Sequence, residues 1–167
     1  MFEKPLRGRV FVFGKNIDTD QIYPGRFVEL TDTADVAKYA MHGADPGFAA
    51  ACEPGDIIVA GTNFGCGSSR EHAAITLKAV GVGAVIATSF ARIFYRNGIN
   101  MGLPLLVCRD LQDKVKNDDV ISVDVTSGEI KNEAGAVIAK AESVSDYMMH
   151  ILKSGGIKPL IRKELAG

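Results

Sequence analysis

Residues 56–80 read Asp56-Ile57-Ile58-Val59-Ala60, then Gly61-Thr62-Asn63-Phe64-Gly65-Cys66-Gly67-Ser68-Ser69-Arg70-Glu71-His72, then Ala73-Ala74-Ile75-Thr76-Leu77-Lys78-Ala79-Val80. The first segment is apolar and β-branched after its aspartate, the pattern of a short buried strand. The last is predicted as a helix stopped by Gly81. Between them lies a glycine-rich turn opening a helix, where unpaired N–H groups and the helix dipole favour an anion. Ser68 and Glu71 have capping-box spacing, which predicts Ser68 at the N-cap with Ser69 and Arg70 in the first turn. Two hydroxyls and a guanidinium would then gather at a positive helix end, a setting for a carboxylate or phosphate. A capping box explains the same residues with no ligand at all, so on spacing alone both readings stand. The turn is not a Walker loop, since no Gly-Lys-Ser/Thr closes it, and it lacks the dinucleotide Gly-x-Gly-x-x-Gly.

Upstream, Gly8–Gly14 is predicted as a strand leading into the polar loop Lys15–Arg26, with Asp18 and Asp20 two residues apart and a Pro-Gly turn at its end. The two acids fit an Asx turn, a cation site, or an Asp20 that orients an arginine or hydroxyl. Asp32-Thr33 can cap a short helix over Ala34–His42, and Asp45-Pro46 opens another to Cys52. Downstream, Ala84–Thr88 reads as a second buried strand. Ser89 is predicted to cap a helix over Phe90–Arg96 that Asn97-Gly98 ends, and Leu103–Cys108 reads as a third strand. Arg92 and Arg96 share a face of that helix, which reads as solvated or turned to a partner. Strand–helix–strand alternation predicts parallel crossovers. From Asp119 the pattern turns to period two, with short strands at Ile130–Asn132 and Ala136–Ala139, an antiparallel appendage. A final helix covers Asp146–Lys153 and stops at Gly155-Gly156.

At 167 residues and 47% hydrophobic content the chain suffices for one domain, residues 1–167, with a proper core. A formal net charge of −1 with no basic stretch argues against nucleic acid as a partner. No run approaches the roughly 18 apolar residues of a membrane span, and Met1–Pro5 lacks the apolar core of a signal peptide. The three cysteines, Cys52, Cys66 and Cys108, form no C-x-x-C pair. That favours a reducing cytoplasm and argues against a metal site within the chain.

Four motifs in order, Asp18-Thr19-Asp20-Gln21-Ile22, Gly61–His72, Ser89-Phe90-Ala91-Arg92-Ile93-Phe94-Tyr95-Arg96-Asn97 and Gly102-Leu103-Pro104-Leu105, make the chain resemble the small subunits of 3-isopropylmalate dehydratases, in the aconitase superfamily. The resemblance covers nearly the whole chain. It implies an α/β swivelling domain of β/β/α type, with a mixed sheet and flanking helices. It also implies a larger partner chain that holds a [4Fe–4S] cluster, and isomerisation of 2-isopropylmalate to 3-isopropylmalate by dehydration and rehydration in leucine biosynthesis. Carried onto this sequence, it makes Ser68 the base, gives Ser69 and Arg70 to a substrate carboxylate, and brings Arg26 toward the substrate. Asp20, Gly67 and Cys66 support them. The loop Phe27-Val28-Glu29-Leu30 would meet the substrate side chain, and its apolar members suit a small branched alkyl group. Related small subunits act on dimethylmalate-, citramalate- or homoaconitate-type acids, and a non-catalytic anion-binding module is the alternative from another class.

Overall fold

The computed structural model describes residues 4–166, so Met1–Glu3, which belong to the segment read above for a signal peptide, lie outside the described residues. One mixed sheet holds β1 (Leu6–Val12), β2 (Ile57–Ala60), β3 (Ala84–Ala87), β4 (Leu105–Val107), β5 (Val120–Val123), β6 (Glu129–Asn132) and β7 (Val137–Lys140), in the order β4-β3-β2-β1-β5-β6-β7. Strands β1 to β4 pair in parallel. The later three pair antiparallel, and β5 hydrogen-bonds to β1 from Leu6↔Val123 to Arg9↔Val120. The predicted appendage is therefore half of the same sheet. Composition tracks position: β2 and β3 are buried at every residue, as inner parallel strands must be, whereas β5 alternates.

The helices are α1 (Thr19–Ile22), α2 (Thr33–Ala37), α3 (Phe48–Ala51), α4 (Glu71–Val80), α5 (Arg92–Asn100), α6 (Asp146–Lys153) and α7 (Ile157–Ala166). Helix α4 packs on α1, α2 and α5, and α6 joins α5 to α7. Among the described residues three polar ones are buried, and each is satisfied: Thr76 Oγ1 donates to Val36 O, Asp56 accepts from Arg9 and Glu53, and Thr19 is described below.

Five local expectations are corrected. Helix α4 begins at Glu71 with Arg70 as N-cap and no side-chain cap, so Ser68 and Glu71 form no capping box and Ser69 and Arg70 precede the helix. The cause is tertiary: the buried Thr19 hydroxyl donates to Ser68 O at 2.9 Å and holds that segment off the helix. The capping box lies instead at Asp18 and Gln21, opening α1, which supersedes the Asx turn. Helix α5 starts after Ala91 without a side-chain cap, because Ser89 Oγ accepts from Asn63 N at 2.8 Å. It also runs through Asn97-Gly98 to Asn100. A Cβ at Gly98 would sit 2.5 Å from Leu105 Cδ1, so glycine there lets the helix lie close on β4. Finally, the chain does not end its helices at Gly155-Gly156; α7 follows.

Candidate active site

Parallel strands send the chain out of one sheet edge, and the loops after β1, β2 and β3 meet there. Open α/β sheets bind ligands at this carboxyl edge. The glycine-rich turn is held between its two neighbours. On one side Gly65 N donates to Ile17 O at 2.7 Å and Thr19 N to Cys66 O at 2.8 Å. On the other, Phe64 N donates to Ser89 O at 3.1 Å and Ala91 N to Phe64 O at 3.0 Å. Phe64, wholly buried, anchors the turn edge-on against Phe90 and Phe94.

Gly65 and Gly67 take positive φ values of 87° and 93°, which side chains resist. At Gly65 a Cβ would lie 2.3 Å from Phe94 Cγ and 2.5 Å from Phe94 Cβ, overlapping that side chain. Gly65→Ala should therefore lower the unfolding free energy by roughly 3 kcal/mol, combining overpacking with left-handed strain. Urea titration of the isolated chain reads this, and an unchanged midpoint would contradict the packing.

These loops enclose a cavity of about 350 Å³ lined by Gly67, Ser68, Ser69 and Arg70 from the turn, Thr19 from α1 and Ala91–Phe94 from the start of α5, among others. Two helix N-termini without side-chain caps, those of α4 and α5, open onto it. The Ser68 and Ser69 hydroxyls are exposed and bond to no described residue. The N–H groups of Gly67, Ser68 and Ser69 are likewise unpaired among the described residues, while Cys66 is held in a β-bridge to Asp18. A negative charge here would meet ready donors and the positive ends of two helix dipoles.

Arg70 is fixed, not free. Its Nη1 donates to Asp20 Oδ1 at 3.1 Å and to Tyr23 O at 3.0 Å, and Asp20 Oδ1 also accepts from Gly25 N at 2.8 Å. The Gly25 N–H, then Arg70, hold the Asp20 carboxyl below its usual range. Because that pKa is depressed, the pair is intact at neutral pH and is lost only as pH falls through the acid range. Tyr23, fully buried, links this anchor to the next loop: its hydroxyl donates to Phe27 O at 2.6 Å, and its ring stacks on His72.

The structure thus brings Gly67, Ser68, Ser69 and Arg70 together around one cavity, with Asp20 behind Arg70. Cys66 contributes its carbonyl to the scaffold, and its side chain is outside the lining. Arg26 and Phe27–Leu30 also stand outside the lining: Arg26 lies over the Phe27 ring at 4.7 Å, and Phe27 stacks on Tyr39. Thr19 and Tyr23 escaped sequence reading, since nothing local reveals a hydroxyl that reaches Ser68 across the fold. Arg92 was visible by spacing, yet it lies at the cavity and not only on a solvated face. Its position just after a buried parallel strand was the available signal.

No group of three or more His, Cys, Asp or Glu side chains is placed to hold a metal among the described residues. Cys52, Cys66 and Cys108 are free. Burial, helped by Asp56, pushes the Cys52 thiol up to about 11, and burial raises Cys108 as well. An iron–sulfur cluster is held by several thiolates, so these residues do not fit one. No helix among the described residues is long and apolar enough to cross a membrane.

Comparison with known proteins agrees with this geometry. Residues 52–110 match the aconitase C-terminal domain. The isopropylmalate/citramalate isomerase small subunit of Methanocaldococcus jannaschii is 49% identical over 161 residues, covering 96% of each chain. The methanogen homoaconitase small subunit of Methanothermobacter thermautotrophicus is 49% identical over 152 residues, 91% of this chain and 88% of that one. A crystal structure described as 3-isopropylmalate dehydratase from M. jannaschii superposes with a TM-score of 0.92 at 40% identity, covering 98% of this chain and 96% of that one. The chain belongs to the isopropylmalate dehydratase small-subunit family of the aconitase superfamily.

Proposed function

We propose that this protein is the small subunit of a hydro-lyase that isomerises 2-isopropylmalate to 3-isopropylmalate. Residues 1–167 would act as one swivelling domain that closes on a large subunit in the cytoplasm. The observation that carries the reading is the cavity with unengaged Ser68 and Ser69 hydroxyls beside an arginine pre-aimed by Asp20 and Tyr23. The reaction takes a proton from the methylene carbon beside a carboxylate and expels hydroxide from the next carbon. The C–H electron pair becomes the double bond. Returning water with the opposite regiochemistry gives the isomer.

Ser68 is the base in this account. An alkoxide is costly at neutral pH, and the unpaired N–H groups, the α4 dipole and Arg70 are what make it accessible. Ser69 and the free edge of Arg70 hold the carboxylate next to the reacting carbon, a fork that fits two parallel hydrogen bonds. Asp20, Gly67 and Cys66 keep that geometry. The departing hydroxide needs a Lewis acid. No ligand set for one is present among the described residues, so we assign a [4Fe–4S] cluster to the large subunit. Arg26, Phe27, Val28, Glu29 and Leu30 are placed at the substrate side chain once the subunits close. Three apolar members, Phe27, Val28 and Leu30, and an acidic Glu29 favour an isopropyl group over a third carboxylate.

Anaerobic reconstitution tests the function. This chain, its large subunit and their mixture are each given isopropylmalate, citramalate and homoaconitate-type acids, and the unsaturated intermediate is followed by absorbance. Activity is expected only in the mixture and highest with isopropylmalate. A higher kcat/KM for homoaconitate would reassign the substrate. A formed complex inert toward every acid would favour an anion-binding module.

A further inference from the structure

Resting on that reading, we infer that Arg92 is a second carboxylate-binding residue, gripping the carboxylate of the substrate that Arg70 does not reach. The substrate is a four-carbon dicarboxylate skeleton, so its two anionic ends need separate partners. Arg70 can serve one end only: its Nη1 is committed to Asp20 Oδ1 and Tyr23 O, leaving one edge of the guanidinium for a ligand. Among the residues lining the cavity, Arg70 and Arg92 are the cations and there is no acid. Asp20 offsets Arg70 from behind the lining, which leaves Arg92 as the cation of the cavity without a carboxylate partner among the described residues, and the second anionic end of the substrate would supply one.

Arg92 is placed for that task and engages no other charged or aromatic group among the described residues. It is the first residue of α5, across the cavity from the turn that carries Ser68 and Arg70. The α5 N-terminus has no side-chain cap, so its dipole reinforces the same charge. The Arg92 side chain is exposed and forms no ion pair or aromatic contact among the described residues. Phe94, two residues on, is buried against Phe64 of the turn, which fixes the start of α5 relative to the base. The rival role is docking of the large subunit, since Arg92 also borders a neighbouring groove with Ile93, Tyr95, Arg96 and Met148.

The test uses the reconstituted complex with Arg92→Gln and Arg92→Lys. A carboxylate contact made equally in ground and transition states raises KM without lowering kcat. Arg92→Gln should raise KM for isopropylmalate roughly 10- to 100-fold, keep kcat within about twofold and leave subunit affinity unchanged. Arg92→Lys should recover part of the loss. An unchanged KM at saturating large subunit would overturn the inference, and weaker assembly with unchanged KM would assign Arg92 to docking instead. A second readout does not need turnover. Phenylglyoxal labelling of the complex, mapped by mass spectrometry, should show Arg92 protected together with Arg70 by malate. Labelling of Arg92 that malate leaves unchanged, while Arg70 is protected, would overturn the inference even if the complex isomerised no acid. Failure of the functional reading is seen separately, as a wild-type complex without turnover.

Discussion

In the reconstituted complex, Ser68→Ala is expected to lower kcat about 10³-fold while assembly and KM stay near wild type, the range lost when a positioned general base is removed. The substitution removes one exposed oxygen that bonds to no described residue, so it costs the fold little. The Thr19 hydrogen bond is made to the Ser68 carbonyl and survives the change. Loss of activity with an intact complex would therefore report chemistry. Should the hydroxyl serve only the turn, activity would remain near wild type and the assignment of the base would fall.

Arg70→Lys should reduce kcat/KM about 10- to 150-fold, equivalent to one charge-assisted hydrogen bond of roughly 1.5–3 kcal/mol. Lysine keeps the positive charge but loses the planar fork. A single ammonium would also have to choose between Asp20, Tyr23 O and the ligand, all of which one guanidinium serves at once. Asp20→Asn should cost less, because Tyr23 O still positions the arginine. A steady-state comparison of the two variants reads this order. Equal activity of Arg70→Lys and wild type would mean that the guanidinium only braces the loop.

The sheet was legible because its inner strands are nearly pure runs of Val, Ile and Ala, and α6 was readable to its ends from Asp146 to Lys153. The motif residues of the turn were legible too, since glycines at fixed offsets and a Ser-Ser-Arg run need no partner to be noticed. What sequence could not decide was which of two capping-box spacings is real. Asp18–Gln21 and Ser68–Glu71 both have the offset, and the choice is made by Thr19, 49 residues before Ser68, claiming the Ser68 carbonyl. That long-range bond turns Ser68 from a cap into an unengaged hydroxyl. The same limit hid α7. Gly155-Gly156 is a valid stop, yet Pro159 falls in the first turn of the next helix, where proline is tolerated, and Leu160 is its one buried residue. The position of Arg92 was hidden likewise, because spacing gives its face of α5 but not the cavity that face meets.

The central claim is that this chain supplies the group that takes the carbon-bound proton, and deuterium exchange tests it most directly. Wild-type and Ser68→Ala complexes, matched for assembly, would be incubated with 2-isopropylmalate in D2O, and deuterium in recovered substrate counted by mass spectrometry. The account predicts ready incorporation at the methylene carbon with wild type and essentially none with Ser68→Ala. Incorporation by Ser68→Ala at the wild-type rate would place the base elsewhere and contradict it.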